Sequence, residues 1–348
     1  MSTVVLRDKV LHAVDAYIKL LLQQRRDRAV SIGHSYEALW SHTSNMVMNG
    51  GKRIRPYLTF VGYGAYDERL VPVAAAQELA HVAMLMHDDI IDQDDVRRGV
   101  PNMNGIYKSL YGGYLDTQLS THYAHAAAML AGDALLSEAY RLVYSAGYDQ
   151  AVTTQVVAQL HESIYEVIGG ELLDVEAGFV TDTVFDPLIV YRYKTSSYSF
   201  IGPLLSGAYC AGVDEATIET LRQYAINVGI AFQIEDDLLG VFGNESATGK
   251  SNETDLREGK LTALITYHRE GMNDEQRQRF AVFGNADASS AELAALRVDL
   301  EASGARQKTR QLAERYFTTA MQHLQALEPG PRRTELEQFT RQLRGRQV

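Results

Sequence analysis

Residues 74–99 read AAAQELAHVAMLMHDDIIDQDDVRRG. Apolar side chains recur through the first two thirds at three- and four-residue spacing, which predicts a helix over 74–91 with a large buried face. The remainder, from His87 to Gly99, packs five aspartates and two arginines directly onto the end of that greasy segment. An isolated acidic helix end is usually just solvated; one fed by a long apolar run has its charge placed where the core stops.

Working outward, the same helical spacing covers 121–144, 151–175 and 218–239, and the N-terminal stretch reads as a further amphipathic helix. Apolar–polar alternation of the strand kind is scarce. The seven prolines fall mainly at segment boundaries, as at Pro56, Pro101, Pro187 and Pro203. Residues 124–136, AHAAAMLAGDALL, are apolar nearly all round, which suits a helix inside a large bundle. The fold class is therefore all-α. With no low-complexity linker and no short-period repeat, residues 1–348 are expected to form a single domain, a large helical bundle around a central cavity.

Composition narrows the function. The formal net charge is −11, from 44 acidic against 33 basic residues, which argues against a broad basic surface for nucleic acid or an anionic membrane. Any anionic ligand has to be gripped locally. The single cysteine, Cys210, can form no internal disulfide and excludes cysteine-rich zinc sites. Charges interrupt the N-terminal segment, so it is not a signal peptide, and no transmembrane helix is expected. A cytoplasmic setting fits these features.

Asp88 and Asp92 stand at i and i+4, so their Cβ atoms lie roughly 5–6 Å apart on one helix face. Two carboxylates so placed repel unless a cation sits between them, and hard oxygen ligands beside phosphate suit magnesium. A second cluster, FQIEDDLLG at 232–240, puts Asp236 and Asp237 at the end of another apolar helix. Acid pairs on separate helices can face one another across a bundle cavity. Here Gly240 occupies the i+4 position from Asp236, so this second cluster offers fewer carboxylates.

Basic groups turn metal into phosphate chemistry. GGKRIRP, residues 50–56, sets Lys52, Arg53 and Arg55 beside paired glycines; Arg97 and Arg98 follow the first acid cluster. Lys194, Thr195, Lys250 and Lys260 are further candidate donors, the last two in the glycine-punctuated segment 243–260 that could close over a site. His81 precedes Asp88 by seven residues, about two turns, and so shares its side of the helix.

Taken in order, GGKRIRP, DDIID with RRG, KTSSYSF at 194–200, QIEDDLLGVFG, TGK and DLREGK make the chain resemble the trans-isoprenyl diphosphate synthases, the family of farnesyl, geranylgeranyl and longer polyprenyl diphosphate synthases. The resemblance implies an isoprenoid synthase fold and condensation of isopentenyl diphosphate with an allylic diphosphate (dimethylallyl, geranyl or farnesyl). It implies three magnesium ions, with Asp88 and Asp92 holding two and Asp236 a third, supported by Asp89 and Asp237. Arg97, Lys194, Thr195, Gln233, Lys250 and Lys260 would bind the allylic diphosphate; Gly51, Lys52, Arg55, His81 and Arg98 would bind isopentenyl diphosphate. Asp88, Asp89, Asp92, Arg97, Lys194, Asp236 and Lys250 form the implied catalytic set, and a homodimer is implied.

Ala83 and Met84, five and four residues before Asp88, stand where family members with short products often carry an aromatic ring. Small Ala83 and flexible Met84 point to geranylgeranyl diphosphate or a longer product. Glu171, in GGELLD, replaces the glutamine common in the family. Two alternatives share the motifs in part: a terpene cyclase, which usually alters the second acid pair and needs no second diphosphate pocket, and a non-catalytic subunit of a heteromeric synthase. A helical phosphatase is a third, more distant one.

Overall fold

The computed structural model describes residues 3–179, 186–243 and 252–345. Its elements are almost all helical and divide into two compact units. The first unit takes Met1–Leu160 and Pro203–Val213, the second His161–Gly202 and Asp214–Val348.

In the first unit, α1 (Thr3–Ala29), α2 (His34–Met48), α3 (Ile54–Tyr63), α4 (Val71–Ile91), α5 (Met103–Tyr111) and α6 (Thr117–Tyr144) are joined by the first part of α7 (Gln150–Phe179) and most of α9 (Gly202–Ala211). α4 is the central element, packed on α6, α3 and α1. Alanines 74, 75, 76 and 83 of α4 and 124, 128 and 131 of α6 are buried and let the helices approach closely; Leu79, Met86 and Leu135 fill what remains. Each fully buried side chain of the latter size contributes about 1.5–3 kcal/mol.

In the second unit, α8 (Pro187–Val190) runs into a π-helix, Tyr191–Ile201, and α10 (Glu215–Phe242) packs against that π-helix and against α15 (Ala305–Leu324). Short helices α11 (Thr254–Glu258), α12 (Ala263–Glu270), α13 (Asp274–Phe280) and α14 (Ser290–Ala302), with the terminal α16 (Pro331–Arg344), complete it. Tyr224, Phe200 and Phe317 are fully buried there. The Tyr224 hydroxyl is kept satisfied by Thr340 Oγ1 at 2.9 Å and the Leu336 carbonyl at 3.3 Å.

The helices expected over 74–91, 121–144, 151–175 and 218–239 all form, and each observed helix starts earlier by one to four residues. Capping explains two of these starts: the Leu119 N–H donates to the Asp116 carboxylate and the Thr217 N–H to that of Asp214, so α6 and α10 begin just after an aspartate.

The segment boundary at Pro101 is a miniature antiparallel hairpin, Val96–Arg97 paired with Val100–Pro101. Its two turn residues, Arg98 and Gly99, have φ of 54° and 76°, the left-handed pair that a two-residue hairpin turn requires. One segment, Glu68–Ile91, is long and apolar enough to cross a membrane by length and composition alone, and 78% of its most apolar window is buried inside the fold. A central core helix passes the same test.

Candidate functional site

In the first unit, α4 carries a half-exposed stripe: His81, Met84, Leu85, Asp88 and Asp92 recur at three- and four-residue intervals. Asp92 caps the helix, its N–H donating to the Asp88 carbonyl at 2.8 Å, so the helical turn carrying both carboxylates is complete. Asp89, between them in the sequence, is 1% exposed. Its Oδ1 accepts from Arg97 Nε at 2.7 Å, and Arg97 Nη2 reaches Asp88 Oδ2 at 3.1 Å. Burial pushes the Asp89 carboxyl up to about 6 and outweighs the opposing pull of Arg97. Asp89 Oδ2 has no hydrogen-bond partner among the described residues.

Beside the stripe is a pocket of about 360 Å³ whose wall includes Asn49, Gly50, Glu78, His81, Arg97 and Arg98. Arg98, at its left-handed turn position, donates to the Asn49 carbonyl at 3.3 Å and to that of Gly50. Gly51 lies close by: a Cβ there would meet Arg98 Nη1 at 3.4 Å. Desolvation, reinforced by the charges of Arg55, Arg98, Arg97 and Arg53, holds the His81 imidazole well below its ordinary pKa and therefore neutral. Four guanidinium groups thus act on one point of a chain whose net charge is −11.

The three cations of GGKRIRP play different parts. Lys52 is exposed and Arg55 half-exposed. Arg53 is buried, donating to Asp15 at 2.8 Å, Glu78 at 2.7 Å and the Val47 carbonyl at 2.8 Å. It ties α1, α2 and α4 together behind the loop.

In the second unit, the π-helix sets Lys194 and Thr195 side by side, and the close approach of neighbouring helices requires two glycines. A Cβ on Gly170 would fall 2.3 Å from the Lys194 nitrogen, and one on Gly229 2.5 Å from Ser196 Oγ. Lys194 Nζ bridges Glu171 at 3.0 Å and Asp174 at 2.6 Å. Thr195 Oγ1 donates to Gln233 Oε1 at 2.7 Å, Gln233 Nε2 donates to Asp237 Oδ1 at 2.8 Å, and the Tyr191 hydroxyl donates to Asp237 Oδ2. That hydroxyl in turn accepts the Ala263 N–H at 2.8 Å. Burial raises the Asp237 carboxyl to about 8 in spite of these donors.

The two acid motifs share one logic. In each, the leading aspartate (Asp88, Asp236) is half-exposed and the next (Asp89, Asp237) is buried and held by a neighbour. Lys260 lies 3.0 Å from Glu258 and 3.9 Å from Asp255. Lys250 lies outside the described residues. Sequence reading missed Tyr191, Asp174, Glu78 and Asp15, because partners chosen by tertiary packing carry no local signal.

Among the described residues no three carboxylate, imidazole or thiol groups converge on one metal position. The donor set of the first motif is a pair on a single turn, together with an unsatisfied Asp89 oxygen. A pair fits magnesium that completes its shell with water and phosphate oxygens; it would not fit a structural zinc.

Comparison with known proteins is consistent with that chemistry. The polyprenyl synthetase family model matches residues 37–299. The chain belongs to the polyprenyl synthetase family. The chain is 32% identical over 284 residues to a short chain isoprenyl diphosphate synthase of Methanocaldococcus jannaschii, spanning 79% of this chain and 80% of that one. It is 29% identical over 313 residues, covering 87% and 90% of the two chains, to the geranylgeranyl diphosphate synthase of Sulfolobus acidocaldarius. Its fold matches the crystal structure of a geranylgeranyl pyrophosphate synthase of Corynebacterium glutamicum, complexed with isoprenyl diphosphate and magnesium. That match has a TM-score of 0.87 at 29% identity and covers 99% and 98% of the chains. The all-α reading and the family resemblance both hold, and the chain is a prenyl-transferring enzyme.

Proposed function

We propose that this chain condenses isopentenyl diphosphate with an allylic diphosphate, releasing pyrophosphate and yielding a linear product of about geranylgeranyl length. The observation that carries the reading is the α4 stripe: an i, i+4 acid pair beside a pocket walled by His81, Arg97 and Arg98. An acid pair for metal next to a cationic pocket for a second anion is what joining two diphosphates demands, whereas a terpene cyclase needs no second pocket.

Asp88, Asp92 and Asp236 would hold magnesium, three ions with diphosphate bound, supplying charge neutralisation on the leaving group. The pocket residues His81 and Arg98, with Gly51, Lys52 and Arg55, grip isopentenyl diphosphate. Neutral His81 offers an N–H without adding charge. Arg97, Lys194, Thr195, Gln233 and Lys260 serve the allylic diphosphate, as does Lys250. Asp89 and Asp237, already bound by Arg97 and by Tyr191 and Gln233, orient their neighbours. Among the described residues no side chain is placed as an evident base, so departing pyrophosphate takes the final proton. Catalysis is then positioning plus preorganised charge.

We treat 1–348 as one isoprenoid synthase domain, a reading supported by a structural match that covers 99% of the chain. The exposed apolar face of α6, with Leu119, Met129 and Leu130 each at least half exposed, supports a homodimer. Burial of α4 supports a cytoplasmic enzyme without a membrane span.

The test is to incubate the purified chain alone with magnesium, isopentenyl diphosphate and each allylic diphosphate. Pyrophosphate release that requires isopentenyl diphosphate, with a longer linear product, is expected. A cyclic hydrocarbon would select the cyclase, and silence without a partner chain would select the non-catalytic subunit.

A further inference from the structure

We propose that Asp255 supplies, from a different element, the carboxylate that the second acidic motif lacks at position 240. The inference rests on the reading that Asp236 faces magnesium and diphosphate, and it deepens that reading.

In the first motif the half-exposed acids Asp88 and Asp92 are one turn apart, and the intervening Asp89 is buried on Arg97. In the second motif Asp236 is half-exposed, Asp237 is buried on Tyr191 and Gln233, and the residue one turn on is Gly240. By sequence the second site is short of one acid. In space it is not: a Cβ built on Gly240 would lie 2.0 Å from Asp255 Oδ2 and 3.1 Å from its Cγ. The Asp255 carboxylate therefore rests against α10 where a side chain at 240 would begin. Only glycine leaves room for it.

Asp255 is also held in place. It lies in the first turn of α11, whose Leu256 is buried and whose end is fixed by left-handed Gly259. The Asp255 carbonyl accepts the Lys260 N–H at 3.1 Å. Its side chain is 27% exposed, close to the 22% of Asp88, so the carboxylate keeps access to a ligand. Lys260 lies 3.9 Å from it and closer to Glu258, at 3.0 Å. The Asp255 carboxylate thus lies beside the position one turn on from Asp236, as Asp92 stands one turn on from Asp88, and the ligand class of the pair is a divalent cation or that ion's water shell.

The experiment uses the full chain and the probe pair manganese and inorganic pyrophosphate, with manganese binding read by electron paramagnetic resonance and by calorimetry. Asp255→Asn, which keeps shape and removes charge, is expected to weaken pyrophosphate-dependent manganese binding by about 10–100-fold. The relocation variant Gly240→Asp with Asp255→Ala, which moves the carboxylate onto the helix, should recover most of that loss. Wild-type binding by Asp255→Asn, alongside weak binding by Asp236→Ala, overturns the role of Asp255 and leaves the reading of Asp236 standing. Wild-type binding by Asp236→Ala as well overturns the reading itself. A folded relocation variant that recovers nothing also overturns the inference. If that variant does not fold, Asp255→Asn decides alone.

Discussion

The Arg53 guanidinium and the Glu78 carboxylate meet at 2.7 Å with 4% of either side chain exposed. Removing one partner strands the other charge in the interior, at a cost of about 3–5 kcal/mol. Glu78→Gln and Arg53→Met are each expected to lower the urea midpoint strongly with an unchanged slope. The double variant should lose less than the sum of the two. Additive losses would show that the pair is not coupled.

Asp88→Ala and Asp92→Ala each remove half of the acid pair on the α4 stripe without touching the core. Turnover should fall by about a hundredfold or more while the far-ultraviolet dichroism keeps its helical amplitude. Near-normal turnover in either variant defeats the assignment.

Product length should respond to Met84 more cleanly than to Ala83. Met84 shares the half-exposed stripe with Asp88, whereas Ala83 is completely buried. Met84→Phe is expected to shorten the product with little change in melting temperature. Ala83→Phe overpacks the core by about 1–3 kcal/mol, so any shortening it causes should come with lost stability. An unchanged product spectrum for Met84→Phe would remove this residue from the length-setting wall.

Acid stability should depend on Asp67. Hydrogen bonds from the Arg69 side chain and backbone, and from the Tyr63 hydroxyl, lower its carboxyl to about 2. A depressed carboxylate adds stability that is complete above the unfolded-state pKa of about 4 and is lost as pH falls through about 2. The gap in urea midpoint between wild type and Asp67→Asn should therefore be constant near neutrality and narrow as pH drops below about 4. A gap that does not change with pH counts against this.

The parts of this chain written in local patterns were legible: helical spacing gave the bundle, and acids after apolar runs gave the two motifs. His81 was found because seven residues is nearly two turns. The misses are of another kind. The π-helix over Tyr191–Ile201 and the support of Asp237 by Tyr191 depend on what packs there, and KTSSYSF carries no trace of either. Arg53 sits among cations in sequence, yet its partners Asp15 and Glu78 are 38 and 25 residues away. The hairpin escaped because its strands are two residues long, too short for alternation to register.

The net charge of −11 contrasts with the four arginines that act on His81. Beyond a Debye length, about 8–10 Å in ordinary buffers, an approaching diphosphate is largely screened from the net charge of the protein; within that distance the arginines around His81 act on it directly. Capture is therefore a short-range event. Moderate salt should first speed the encounter by screening the outer repulsion, then slow it by competing within the pocket.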